Sequence, residues 1–365
     1  MKTQLFAISV LTLALAACSD VYSATSSSHY TMDDYYTIQK IDAHVHANSA
    51  STAFIEQAQQ DNIKLLSVNV DSPDFPNIDK QATIAQKFAK TYPEVFYFAT
   101  TFSMQGSDTP QWQGDVIERI DEAVKEGAIA VKVWKNIGMD YRDQAENLVM
   151  IDSPILDPIF NHIQQIDIPL IGHQGEPKNC WLPVSKMTVN NDKQYFAAHP
   201  QYHMYLHPEM PSYEKQMQVR NNMLDKHPDM HFMGAHLASL EWSVDQIAAF
   251  LDAYPKAVVD MAARMGQIQY QSNLDREKVR NFFIRYQDRI LYATDLTHSP
   301  EASDAQLKQE VHKKWLEDWK YLNTDLSMEV PEVDGKIIGL ALPKEVINNL
   351  YFANTKHFFN IEPVK

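Results

Sequence analysis

Two histidines one residue apart, His44 and His46 in the run Asp42-Ala43-His44-Val45-His46, close an apolar stretch that begins at Ile38. Side chains on a strand alternate with period 2, so the pair points to one face and both imidazoles can ligate a single metal ion. On a helix the same spacing would set them roughly 200° apart. Taken alone, the pair reads equally well as two packed or solvated histidines. Other apolar runs, however, close on ionisable residues too. His173 follows Ile171-Gly172, His236 follows Gly234-Ala235, Asp295 follows Tyr292-Ala293-Thr294, and Arg264 and Lys132 lie near the ends of two more. Burying such a group unpaired costs about 2–7 kcal/mol or more. A metal ion or mutual ion pairs must therefore satisfy them, and the metal site is the expected solution.

The elements that must position these residues are visible as short apolar runs alternating with amphipathic segments. Strands are expected at Ile38–His46, Leu65–Val70, Val95–Thr101, Ala128–Trp134, Ile168–His173, His231–His236, Ala257–Arg264 and Arg289–Asp295. Helices are expected at Thr52–Gln60, Ile84–Thr91, Val116–Glu126, Leu156–Gln165, Tyr213–Lys226, Val244–Ala253, Arg276–Tyr286 and Ala305–Leu322. Val116, Ile117, Ile120 and Val124 show the helical spacing. Eight such alternations predict an α/β fold, a single-domain (β/α)8 TIM barrel. An open doubly wound sheet is the other topology, but no glycine-rich phosphate loop follows any strand. Loops after strands are long, nearly 40 residues after His173, and those after helices are short. In a barrel the long loops gather at the face where active sites sit.

With these residues in place, the chain resembles the amidohydrolase (metal-dependent hydrolase) superfamily, in its amidohydrolase family 2 branch. Asp-Ala-His-Val-His ends the first strand, a histidine the fifth, Gly-Ala-His-Leu the sixth and Thr-Asp the eighth. Gly339-Leu340-Ala341-Leu342-Pro343 with Asn354 resembles the closing helix of that branch. The resemblance spans about residues 36–361. It implies that His44, His46, His173 and Asp295 are metal ligands and that Asp295 is also the general base. His236 is implied as a transition-state histidine or a ligand of a second metal. The chemistry of these groups agrees. Imidazoles with a carboxylate suit one Zn2+, and an open coordination position lowers the pKa of water toward about 7. Asp295 could take the proton, and His236 could hydrogen-bond the oxyanion or protonate the leaving group.

Lys132 has two readings. In binuclear relatives a carbamylated lysine on this strand bridges two metals, so a second metal is possible here. The preferred reading is an ion pair inside the barrel, for instance with Asp260, and hence one metal. On this strand Ile129, Val131 and Val133 would face the helices, and Ala128, Ala130, Lys132 and Trp134 the interior. Arg264 could clamp a substrate carboxylate or form a structural ion pair. The long loop after His173, with Glu176 and Trp181, is expected to be an ordered lid on the substrate side. Cys180 is expected to be a buried, inert thiol.

The ends and the composition limit the rest. Lys2, the apolar run Leu5–Leu15 and Leu15-Ala16-Ala17-Cys18 resemble a bacterial lipoprotein signal peptide over residues 1–17, with Cys18 lipidated. Ser19 after the cysteine favours the outer membrane, facing the periplasm. Residues 18–35, rich in Ser, Thr and Tyr, would form a flexible tether before a barrel over 36–361. Only two cysteines are present, so lipidation leaves no intrachain disulfide. A formal net charge of −15 argues against nucleic acid and against an electrostatic hold on anionic lipid. A metal-dependent hydrolase of a lactone, ester or amide is the first reading, with a small carboxylate or lactone as substrate. A decarboxylase or hydratase on the same fold is the second, and a non-catalytic lipid-anchored binding protein the third.

Overall fold

A computed structural model of the chain describes residues 28–362. Its centre is a parallel sheet: β1 (Lys40–Ala47), β2 (Ile63–Val68), β3 (Phe96–Thr101), β4 (Ala128–Val133), β5 (Leu170–Gly172), β6 (Phe232–Gly234), β7 (Ala257–Asp260), β8 (Ile290–Leu291) and β9 (Thr297–His298). These strands pair in the order β8-β7-β6-β5-β4-β3-β2-β1-β9. The sheet curls shut because the segment after β8 returns to β1. Ala43 N donates to Tyr292 O at 3.0 Å, Asp295 N to His44 O at 2.8 Å, and His46 N to Leu296 O at 2.9 Å. The expected TIM-type barrel is therefore observed. All eight residues of β1 are buried, as a strand covered on both faces requires.

Two apolar clusters divide the molecule. The larger joins the outer strand faces to the helices. The smaller fills the barrel interior, where Ala43, Ala99, Ala130, Ala262 and Ala293 are all buried. Alanines so close to the carboxyl ends of the strands leave room in the barrel mouth for imidazole rings. Ala130 faces this interior while Val131 and Val133 face the helices, as the alternation predicts. Ala128 and Ile129 are reversed, Ala128 packing outward and Ile129 against the interior. A register shift explains this: Phe98 pairs with Ala128 but Ala99 with Ala130, so one extra residue on β4 flips the faces below it.

Helices Tyr213–Lys226 and Val244–Ala253 have the expected bounds. The second helix starts earlier than Ile84, at Ile78, because the Asn77 side chain caps it by accepting from Lys80 N at 2.9 Å. Strands five to eight are shorter than the apolar runs. His173, His236, Arg264 and Asp295 stand beyond the strand ends rather than on them. The chain passes from β7 into an unexpected helix, Met265–Leu274, at Arg264. The lid contains helix Asn190–Ala198, and an unexpected antiparallel hairpin, β10 (Ser327–Val330) with β11 (Val333–Ile338), pins it. Asn190 N donates to Glu332 O at 3.1 Å and Asn190 Nδ2 to Pro331 O at 3.1 Å.

The signal peptide and Cys18 lie outside the described residues. The tether expected over 18–35 does not reach its last residues: Tyr35 is fully buried, and Trp319 Nε1 donates to Thr31 O at 2.9 Å. No described helix is long and apolar enough to cross a membrane.

Candidate metal centre and its adjoining chamber

Beyond β6 the backbone enters a left-handed turn. His236, Leu237, Ala238 and Ser239 all have φ between 55° and 58°. Left-handed L-residues cost about 1–2 kcal/mol each, so the surroundings must hold the turn. Asp260 Oδ1 accepts from His236 N at 2.7 Å, Tyr213 Oη donates to Ser239 O at 2.6 Å, and Ser239 Oγ donates to Gln174 O at 2.8 Å. Arg220 donates to Ala238 O. Gly234 is required at the entrance, since a Cβ there would lie 2.5 Å from Ala238 Cβ. Asp295 is also left-handed, at φ 69°. Its approach is fixed by Asp42, which accepts from Thr294 N at 3.0 Å, Thr294 Oγ1 at 2.6 Å and Trp315 Nε1 at 2.9 Å. Burial pushes the Asp42 carboxyl up to about 7 even against these hydrogen bonds.

Four of the expected histidines and Asp295 line one cavity of about 210 Å³ at the barrel mouth, with Lys132. Three of the imidazoles are oriented by their Nδ1 atoms. His44 Nδ1 lies 2.8 Å from Asp260 Oδ2, His46 Nδ1 2.7 Å from Val68 O, and His236 Nδ1 2.9 Å from Ala262 O. Carbonyl and carboxylate oxygens accept, so each Nδ1 carries the proton and each Nε2 presents a lone pair. Those lone pairs converge on Asp295: Oδ1 lies 3.1 Å from His46 Nε2 and 3.4 Å from His44 Nε2. His173 Nε2 is buried without a partner, and its ring centroid lies 4.1 Å from that of His236. Ligand atoms of His44, His236 and Asp295 all fall within 4.8 Å of one another.

Protons do not resolve this crowding of acceptors. Burial, with Lys132 nearby, lowers the pKa of His44; burial and the neighbouring His236 hold His173 well below the usual range. Burial brings His236 down to about 3. Neutral imidazoles and a carboxylate facing one another are what a divalent cation requires, so the donor set fits a metal ion. With its Nδ1 set against Ala262 O, His236 in its neutral form carries its lone pair on Nε2.

Lys132 does not form the expected ion pair with Asp260. Asp260 is taken by His44 and by the N–H groups of His236 and Ala262, the latter at 3.1 Å. The Lys132 amine, fully buried, instead lies 3.5 Å from His44 Nε2. Burial lowers its pKa to about 8, with Asp260 and Asp295 opposing. Asp260 thus emerges as the residue that orients the site, which its sequence position on the face of Ala262 hinted at only weakly.

Of the substrate-side residues, Glu176 pairs with Lys135 and lines a second chamber of about 480 Å³. Arg264 donates to Ala263 O at 3.0 Å and leaves its Nε unpartnered, but it does not line the cavity of the histidines. Trp181 donates to Pro211 O at 3.1 Å and packs on Tyr213, inside the lid. Cys180 is fully buried, and burial pushes its thiol up to about 12, as an inert cysteine should be.

Comparison with known proteins agrees with this geometry. The profile of the Amidohydro_2 amidohydrolase family matches residues 101–330. The chain belongs to that family. No curated protein matches the chain. Among solved structures, 2,6-dihydroxybenzoate decarboxylase from Rhizobium shares 13% identity with a TM-score of 0.51, covering 89% of this chain and 99% of that one. The 4-oxalomesaconate hydratase of Rhodopseudomonas palustris shares 10% with a TM-score of 0.50, covering 88% and 96%. A lactonase from Listeria monocytogenes shares 9% with a TM-score of 0.42, covering 90% and 96%. Likeness to the decarboxylase and the hydratase at these identities shows the fold alone.

Proposed function

We propose that this member of the family is a metal-dependent hydrolase that attacks a carbonyl C–O or C–N bond of a lactone, ester or amide. The observation that carries the reading is the convergence of imidazole Nε2 lone pairs on the Asp295 carboxylate. His44, His46, His173 and Asp295 would hold one divalent ion, Zn2+ by donor type. Such an ion polarises the carbonyl and lowers the pKa of water. Asp295, whose carboxylate reaches the cavity, accepts the proton of the attacking water at an Oδ atom. Asp260 holds the His44 ring, and the turn after Gly234 holds His236. Lys132 supplies a cation against the developing negative charge.

The buried amine of Lys132 on the inner cavity also suits a carboxylate, which favours a decarboxylase or hydratase as the second reading. The fold neighbours named for those reactions keep it open. Turnover of a panel of lactones, esters, amides and carboxylic acids in 18O-labelled water separates them. Hydrolysis is expected to place label in the acid product; carbon dioxide release with an unlabelled organic product would overturn the hydrolase. A chain that binds no stoichiometric metal would favour a non-catalytic binding protein.

Lys132→Met is expected to lower kcat by about 10²–10³-fold, the loss typical of one charge-stabilising donor, with metal content unchanged by elemental analysis. A halving of the metal content would instead support a carbamylated lysine bridging two ions.

The envelope location belongs to the same proposal and is supported only by the sequence of residues 1–18. Palmitate labelling of the expressed chain should be lost in Cys18→Ser; label retained in that variant would refute the anchor.

A further inference from the structure

The cavity of the histidines and the chamber of about 480 Å³ outside it share a wall, formed by Asp74, Trp134 and Lys135. One ion pair stands in that wall. Lys135, just beyond the end of β4, donates from its amine to the Glu176 carboxylate at the start of the lid. The two side chains are 25% and 17% exposed, so water screens the pair only in part. The amine also lies 5.5 Å from the centre of the Trp134 ring. Its charge is felt among the imidazoles: after burial, His236 and Lys132, it is a further cause of the low pKa of His173.

A turn brings Glu176 to this place. Gly175 before it has φ 71°, a conformation that L side chains rarely adopt, and a Cβ there would lie 3.4 Å from Gln216 Cβ. The chain after His173 thus folds back and sets a carboxylate on Lys135. Glu176 lines the outer chamber but not the inner cavity, whereas Lys135 lines both. The ammonium that Glu176 engages from outside is therefore also part of the wall around the reacting groups. A lysine ammonium has three donors on a flexible stem, and Glu176 is its hydrogen-bond partner among the described residues. Asp74 stands in the same wall, so the wall carries no excess of positive charge. An anion entering the cleft is recognised there by a directed ammonium hydrogen bond, and it gains that bond by taking the place of Glu176.

We propose that Lys135 is a specificity residue that binds a substrate carboxylate remote from the reacting carbonyl, and that Glu176 occupies its ammonium until the substrate arrives. The substrate is then a molecule with two polar ends. One end meets the imidazoles; the other, a carboxylate a few bonds away, exchanges with Glu176. No covalent bond changes in the exchange, and the displaced Glu176 carboxylate turns into the outer chamber that it already lines. A neutral analogue leaves the pair intact and gains nothing from Lys135. The inference rests on the proposed function only in taking the inner cavity as the reacting end.

Binding without turnover tests it. The metal-loaded full chain is titrated by calorimetry with succinate, glutarate and adipate, and with butyrate, pentanoate and hexanoate. Each dicarboxylate has a monocarboxylate of the same length, so whatever one carboxylate gains at the inner site cancels in the comparison. The best-fitting dicarboxylate is expected to bind about tenfold more tightly than its partner. Lys135→Met should abolish that preference and Lys135→Arg should keep it. Glu176→Gln should act in the opposite direction and tighten the dicarboxylate about threefold, the order of a partly exposed ion pair removed as competitor. This last variant is nearly isosteric and carries the test even if Lys135→Met fails to fold. Equal affinity of every matched pair overturns the proposal. So does a preference that survives Lys135→Met, which would place both carboxylates on the metal. An affinity unchanged or weakened in Glu176→Gln overturns it as well, since the pair would then serve the fold alone. A chain that took up no metal would fail the proposed function, and the same titration would still report on Lys135.

Discussion

In His44→Ala, turnover is expected to fall to background and bound metal to be lost, while unfolding remains cooperative. His44 presents one of the lone pairs facing Asp295 and belongs to the group whose ligand atoms lie within 4.8 Å. Alanine removes that donor and also strips Asp260 Oδ2 of the partner at 2.8 Å. A buried acceptor left unsatisfied costs about 1–3 kcal/mol, so the melting temperature should fall as well. The barrel should persist, because its strands close through backbone bonds from Ala43, His46 and Asp295 that the side chain does not make. Elemental analysis and a thermal melt on one preparation check both parts. A variant that kept its metal and its rate would remove His44 from the site.

Asp260→Asn is the second large effect, and it acts through a tautomer. The asparagine oxygen can still accept from His236 N and Ala262 N, so the turn should survive. The amide nitrogen replaces the oxygen that accepts from His44 Nδ1. To avoid opposing two donors, His44 must move its proton to Nε2, and that nitrogen then cannot ligate. Metal affinity is expected to drop about 10–100-fold, the usual cost of losing the group that orients a ligand. The melting temperature of the metal-free protein should change little. Competition with a metal chelator measures the affinity. An unchanged affinity would show that Asp260 does not set the His44 tautomer.

Much of the site was legible because its chemistry lies on short motifs at strand ends. His44 and His46 are paired by the strand period alone, and the alternation of apolar runs predicted the barrel that gathers them with His173, His236 and Asp295. Position within the motif was harder to read. His236 and Asp295 lie past their strands in left-handed backbone, which depends on contacts from Tyr213, Arg220 and Asp42 far away in the chain. Nothing local to Gly234-Ala235-His236-Leu237 signals four such residues in a row.

The cases of Lys132, Arg264 and Trp181 show the same division. Parity correctly put Lys132 inside the barrel, but a face is not a partner. Asp260 was already engaged by His44 and two backbone N–H groups, so the expected ion pair does not form. Arg264 ends up at the start of a helix, because the strand before it stops at Asp260. Trp181 turns into the packing of the lid.

The sequence by itself determined the residue types, the strand and helix periods and the order of the motifs, because these follow from the spacing of neighbours along one chain. Only the tertiary structure decided three things. It decided which nitrogen of His44, His46 and His236 carries the proton, since distant oxygens at Asp260, Val68 and Ala262 choose it. It decided that the Nδ1 of His236 meets Ala262 O, 2.9 Å away. It also decided that the lid folds over an acidic, aromatic chamber beside the inner cavity. Hydrogen-bond donors, acceptors and cavity walls meet across hundreds of residues, and a one-dimensional pattern carries no record of that meeting.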